Sequence, residues 1–150
     1  MKLLEFARPG DWAALNRFAV QVNDLHAQWD VSAPTDVVYP EDFFQEMVEK
    51  DQLLVARRGG VLVGYVRFYL WETSGTSVKR KFLTIDDVGV EESLRGQGIG
   101  KQMMADLRSY ALSSGCTDLQ LFVDAHNENA LAFYQKCGLH ISNYGMQAKL

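Results

Sequence analysis

The sequence predicts a mixed α/β fold, in the order β-α-α-β-β-β-α-β-α-β-β, from three observations. Stretches of β-branched and apolar residues bounded by turn residues alternate with stretches whose apolar residues recur every three or four positions. One strand-to-helix passage, Phe82 to Ala111, carries glycines at three alternate positions, Gly96, Gly98 and Gly100. A later helix, opening near Asn127, runs into Gly138, a residue suited to the left-handed position that ends a helix. A chain of 150 residues that is 47% hydrophobic has enough bulk for a single core, so residues 1–150 are expected to form one domain.

Taken in order, Lys2 to Ala7 alternates weakly and predicts a first strand, closed by Arg8-Pro9-Gly10. Asp11 suits the N-cap of a long amphipathic helix bearing Trp12, Leu15, Phe18, Ala19, Val22, Leu25 and Trp29 on one face, with His26 near its end. Val31 to Tyr39 has no periodicity and contains Pro34, as a loop does. Pro40 then suits the first position of a second helix, with Glu41 and Asp42 where the dipole favours acids and Phe43, Phe44, Met47 and Val48 as the buried stripe. Gln52 to Arg57 and Val61 to Trp71 read as antiparallel strands across Arg58-Gly59-Gly60. Phe82 to Val90 is the next strand, and Ile99, Met103, Leu107, Tyr110 and Ala111 lie at helical spacing from a start close to Gly98. Leu119 to Val123 is a buried strand, Asn127 caps a short helix, and Tyr144 to Leu150 reads as a closing strand.

Composition narrows the function classes. A formal charge of −4 argues against a nucleic-acid partner, which favours a basic face. No apolar run reaches the roughly 20 residues that cross a bilayer, and the first residues do not resemble a signal peptide, so no membrane partner is expected. Cys116 and Cys137 form neither a disulfide framework nor a metal-ligand spacing, which makes a reducing cytoplasm the default and leaves no metal expected.

Arg95-Gly96-Gln97-Gly98-Ile99-Gly100-Lys101 lies between a strand and a helix start. Free N–H groups and the positive end of the helix dipole favour an anion there, and glycines let the backbone approach it. A nucleoside-triphosphate loop requires glycine where Arg95 stands, and a dinucleotide fingerprint requires one where Lys101 stands. What remains, Arg-x-x-Gly-x-Gly after Val88-Gly89-Val90, resembles the pyrophosphate motif of the GCN5-related N-acetyltransferases, which bind acetyl-coenzyme A. Asn127, Ala130, Tyr134 and Gly138 resemble the second coenzyme motif of that family, and together the two motifs are specific.

The resemblance implies the mixed sheet of that family and attack of an amine on the acetyl thioester. It implies that backbone N–H groups from Gln97 to Lys101 take the pyrophosphate, within a coenzyme-binding stretch of Arg95, Gly96, Gln97, Gly98, Ile99, Gly100 and Lys101 in which Arg95 and Lys101 add positive charge. Val88 and Val90 would pair with the pantetheine arm, Gly89 between them being compatible with a bulge, and Asn127 would meet its amides. The Val88 N–H would serve the thioester oxygen, and Tyr134 would give a proton to the departing sulfur. An amine reacts when neutral, and an alkyl ammonium of pKa roughly 10.4 leaves about one molecule in 10³ ready at neutral pH. Asp86 is the favoured base or ammonium-positioning group; alternation along a strand puts Asp87 on the other face. Water, Asp87 and His26 stand as alternative bases. His26, Trp29, Tyr39, Phe43 and Asp87 are acceptor-wall candidates, although aromatics at such spacing more often form plain core. Cys137 is expected to pack rather than react. The acceptor is a primary amine of a small molecule, with polyamine-like cations favoured by the acidic pair, or of a peptide. A homodimer is the habit of the family. The alternative from another class is a coenzyme-binding sensor without catalysis.

Overall fold

The computed structural model describes residues 2–28, 38–75 and 78–150. Five strands form one sheet in sequential order: β1 (Leu4–Phe6), β2 (Leu53–Arg58), β3 (Val61–Glu72), β4 (Lys81–Val90) and β5 (Asp118–Leu121). The first three pairings are antiparallel, and β4 pairs with β5 in parallel. Among the described residues four α-helices cover the two faces: α1 (Trp12–His26), α2 (Glu41–Glu49), α3 (Ile99–Ser113) and α4 (Glu128–Lys136).

Side chains alternate across a strand, so the sheet has two apolar faces to bury. On one, Leu15, Phe18 and Val22 of α1 and Phe44 and Met47 of α2 pack on Leu53, Val55 and Tyr65. On the other, Met103, Met104, Leu107 and Ala111 of α3 pack on Leu54, Val66, Phe68, Leu83 and Ile85. The polar side chains buried in the core, Asp11, Thr84 and Asp106, are paired, as burial requires. The Asp106 carboxylate accepts the Leu3 and Leu4 N–H groups and so ties α3 to β1. Thr84 Oγ1 accepts from Trp71 Nε1 and from Gln120 Nε2, both at 2.9 Å.

Three expectations change. Asp11 holds the expected N-cap position of α1 as the last residue of a 3₁₀ turn, Pro9–Asp11, but its side chain does not cap the helix: the carboxylate accepts from the Arg8 N–H at 2.8 Å and the Arg57 guanidinium at 2.6 Å. Pro40 is the residue before α2 rather than its first member. The two closing strands are not formed either: no residue after α4 enters a strand, and residues 140–150 are exposed. Tyr144 to Leu150 keeps its strand-like alternation, but a strand needs an edge to take its amides, and none among the described residues does so. Trp29 lies outside the described residues.

Candidate active site

The site begins where two parallel strands part. β4 and β5 pair only from Phe82/Asp118 to Ile85/Leu121; β4 then continues to Val90 while the chain leaves β5 at Phe122. The gap opens into a cleft of about 1020 Å³, walled by the second half of β4, the glycine turn, α4 and the end of α1. That volume is at the upper end of what a drug-sized ligand fills.

At one end lies the glycine turn. Gly96 and Gly98 have φ of +80° and +81°, a region that costs a side-chain-bearing residue about 1–2 kcal/mol. A left-handed Gly98 immediately before Ile99 sets the direction of α3. After Arg95, the next amide in use as a donor is that of Gln102, to the Gly98 carbonyl at 3.0 Å, and among the described residues no backbone bond takes the amides of Gly96 to Lys101. All of Arg95, Gly96, Gly98, Ile99, Gly100 and Lys101 border the cleft, and Arg95 Nε donates to the Val90 carbonyl at 3.3 Å. The Phe133 ring packs on Gly100 and so sets α4 against the turn. Asn127 caps α4, its Oδ1 accepting from the Ala130 N–H at 3.1 Å, and it borders the cleft. Gly138 closes the helix at φ +86°, with the Leu139 N–H donating to the Tyr134 carbonyl.

Midway, Val88, Val90 and Tyr134 face the cleft on the α3 side of the sheet. Burial, helped by Asp87 and Cys137, pushes the Tyr134 phenol up to about 12, so it keeps its proton throughout the neutral range.

At the other end, a bulge reshapes the acidic pair. Arg67 pairs with Asp87 and Phe68 with Ile85, which leaves Asp86 as the extra residue. The bulge lies here, not at Gly89, which instead permits a close approach: a Cβ on Gly89 would sit 2.6 Å from the Tyr65 ring. Simple alternation therefore fails, and both carboxylates join one cluster. Tyr65 Oη donates to Asp87 Oδ2 at 2.6 Å and Tyr39 Oη at 3.5 Å, while Arg67 Nη2 pairs with Asp86 at 2.5 Å and lies over the Tyr39 and Phe43 rings. Asp86 is nearly half exposed and has this cation for company. Asp87 is deeper. Burial raises its pKa above the ordinary carboxylate value, against the opposing pull of the Tyr65 hydroxyl, Arg67, His26 and the Val88 amide. Burial and Asp87 likewise keep Tyr65 and Tyr39 protonated. His26, the last residue of α1, borders the cleft.

Tyr65 and Arg67 were not singled out by the sequence. A lone arginine inside the apolar run Val61 to Trp71 is a visible signal for the second; the first depends on a strand register that no local pattern fixes. Among the described residues no group of three potential ligands is arranged to hold a metal ion, and no helix is long and apolar enough to cross a membrane.

The sequence pattern of the acetyltransferase (GNAT) family matches residues 18–139, a stretch that contains both the glycine turn and α4. The chain belongs to that family. As a GNAT chain it is 32% identical over 81 residues to the thialysine N-epsilon-acetyltransferase of Bos taurus, covering 54% of this chain and 46% of the relative. It is 34% identical over 82 residues to the uncharacterized N-acetyltransferase YycN of Bacillus subtilis, covering 55% and 53%. The matches thus span about half the length of these curated relatives. Among solved structures, a mutant of the BH1408 protein of Bacillus halodurans superposes with a TM-score of 0.90 at 25% identity over 99% of both chains. The aminoglycoside N-acetyltransferase AAC(6')-Iy, in complex with CoA, shares the fold with a TM-score of 0.72 at 14% identity over 98% of both chains. The GNAT fold is the one expected from the sequence, apart from its two closing strands.

Proposed function

We propose that residues 1–150 form one domain that transfers an acetyl group from acetyl-CoA to a primary amine of a small cationic molecule or of a peptide. The observation that carries this is the cleft, which joins a turn of unpaired amides at one end to a half-buried carboxylate at the other, with a protonated phenol between them. The residues fit such a donor. The amides of Gly96 to Lys101, with Arg95 and Lys101 beside them, suit a diphosphate. Val88 and Val90 on the parted edge of β4, with the Asn127 amide, suit a pantetheine arm. Bound there, acetyl-CoA supplies an activated acyl thioester.

Chain residues carry the rest. An ammonium must lose a proton that it holds by about 3.4 pKa units at neutral pH, which is roughly 4–5 kcal/mol. Asp87 is the better placed carboxylate for that work, because Asp86 is already neutralised by Arg67 and open to solvent. Burial makes Asp87 more basic than a surface carboxylate, and Tyr65 holds it in place. Asp86, with Arg67, is then a positioning pair, and His26, Tyr39 and Phe43 wall the acceptor. Tyr134 acts as a donor towards negative charge on the leaving sulfur. Full transfer from a phenol near 12 to a thiolate of pKa about 8.5 runs uphill by roughly 5 kcal/mol, so the proton shed by the amine makes up the balance. The relative that acetylates thialysine supports a small amine acceptor. Free Cys116 and Cys137 suit a reducing cytoplasm.

Release of free thiol from acetyl-CoA, followed across a panel of polyamines, amino acids and peptides, tests the proposal. Stoichiometric thiol and acetylated amine are expected with at least one primary amine. Tight binding of acetyl-CoA without turnover on any amine would make the domain a sensor instead.

A further inference from the structure

Arg67 stands where an acceptor would put its own charge. It rises from the middle of β3, and its side chain is 23% exposed. Its Nη2 pairs with Asp86 at 2.5 Å, and its Cζ lies 5.4 Å from the centre of the Tyr39 ring and 5.9 Å from that of Phe43. A carboxylate and two aromatic faces within about 6 Å are contacts that hold an ammonium, and here a residue of the chain fills them. The guanidinium is itself under-used. Its Nε is buried and, among the described residues, donates to no acceptor. A planar fork of N–H groups with one carboxylate contact has donors to spare for a second carboxylate. Charge points the same way. Three carboxylates border the cleft, Asp86, Asp87 and Asp124. Asp124 accepts from the His126 N–H and meets its ring at 2.9 Å, and Asp86 is neutralised by Arg67, so of the three Asp87 is left to meet an ammonium. A second ammonium on the acceptor would find no free anion there and would face Arg67. A carboxylate in that place would face an attractive cation.

We propose that Arg67 sets the acceptor class: an amine that carries a carboxylate a few carbons from its nitrogen, in preference to a diamine. This rests on the reading of Asp87 as the carboxylate that meets the amine, and it narrows the acceptor by setting aside the polyamine-like cations that the acidic pair alone favours. The amine lies at Asp87, and the acceptor's carboxylate shares the guanidinium of Arg67 with Asp86.

The test is calorimetric binding to the full chain, with and without free coenzyme A, of butylamine, 1,4-diaminobutane and 4-aminobutyrate, and of the matching set one carbon longer. Within each set the ligands differ at the far end, which is a methyl, an ammonium or a carboxylate. The parent protein should bind the carboxylate-ended amine about tenfold tighter than the methyl-ended one and the diamine weakest, with the spread narrowing at high salt. Arg67→Gln should invert that order, because Asp86 and the Tyr39 and Phe43 rings are then free for a second ammonium. Arg67→Lys keeps the charge without the fork, so the diamine should stay weakest while the advantage of the carboxylate shrinks. A parent protein that prefers the diamine, treats the three ends alike or binds none of them would overturn the proposal, as would the parent order persisting in a folded Arg67→Gln. If that variant does not fold, the order in the parent and in Arg67→Lys decides. No turnover is read here. The expected order with no thiol release from acetyl-CoA would leave the role of Arg67 standing and the acetyl transfer wrong, and turnover with the diamine preferred would do the reverse.

Discussion

The glycine turn and the acidic bulge lie within fifteen residues of each other, yet they are made in different ways. The turn works through backbone: Gly96 and Gly98 at positive φ, a helix start, and amides with no other partner. The bulge works through side chains brought from four places, Tyr39 before α2, Tyr65 and Arg67 on β3, Asp86 and Asp87 on β4, and His26 at the end of α1. A site built from backbone tolerates change in its side chains but not in its glycines. A site built from side chains depends on strand register, and one residue more or less in the bulge would turn Asp87 away. Coenzyme affinity should therefore follow the turn, and amine chemistry the bulge.

The sharpest division is expected at Asp87. Asp87→Asn should lower kcat by about 10²-fold and leave coenzyme binding within a few-fold, since general-base groups contribute roughly 10²–10⁴. The rate of the parent protein should rise with pH through the ionisation of Asp87, and that limb should be absent from the variant. The same substitution should stabilise the fold at neutral pH. The folded pKa of Asp87 is raised, so the stability it contributes is present in acid and lost as pH rises through that value. A higher Tm for Asp87→Asn at pH 7, with the advantage gone below pH 3.8, is the expected outcome; a lower Tm at pH 7 would mean that the Tyr65 contact outweighs the cost of burying charge.

Next in size is Tyr134→Phe, which should lower turnover at least tenfold with coenzyme affinity again within a few-fold. Equal losses in both would assign the hydroxyl to coenzyme binding rather than to the leaving group. Gly98→Ala should do the reverse. A methyl there meets no atom within 4 Å, so its effect is the cost of a left-handed alanine, expected as about tenfold weaker coenzyme binding with little change in kcat at saturation. Smallest is Asp86→Asn, expected to change kcat only a few-fold because Asp86 is exposed and paired with Arg67. A loss larger than that of Asp87→Asn would exchange the roles of the two carboxylates.

The same contrast explains what could be read in advance. β4, α3, α4 and the glycine turn are set by local signals: alternation, helical spacing, Asn127 at one end of α4 and Gly138 at the other. The cap at Asn127 and the left-handed Gly138 are both found. Asp11 stands at the N-cap of α1 as its position suggests, but the Arg57 guanidinium, 46 residues away, takes the carboxylate that would otherwise cap the helix amides. Alternation puts the two carboxylates on opposite faces only in an unbroken ladder, and the bulge that breaks it depends on how β3 and β4 align. Tyr144 to Leu150 has the alternation of a strand, but alternation alone does not supply an edge, and no described edge takes its amides.

The most direct test of the central claim, that main-chain amides of the turn grip a diphosphate, is a titration of isotope-labelled protein with coenzyme A followed by amide NMR. The Gly96 to Lys101 amide resonances should move together and saturate with one binding constant, with Gly98, Ile99 and Gly100 moving furthest. Binding that leaves these amides in place, or no binding at all, would contradict it.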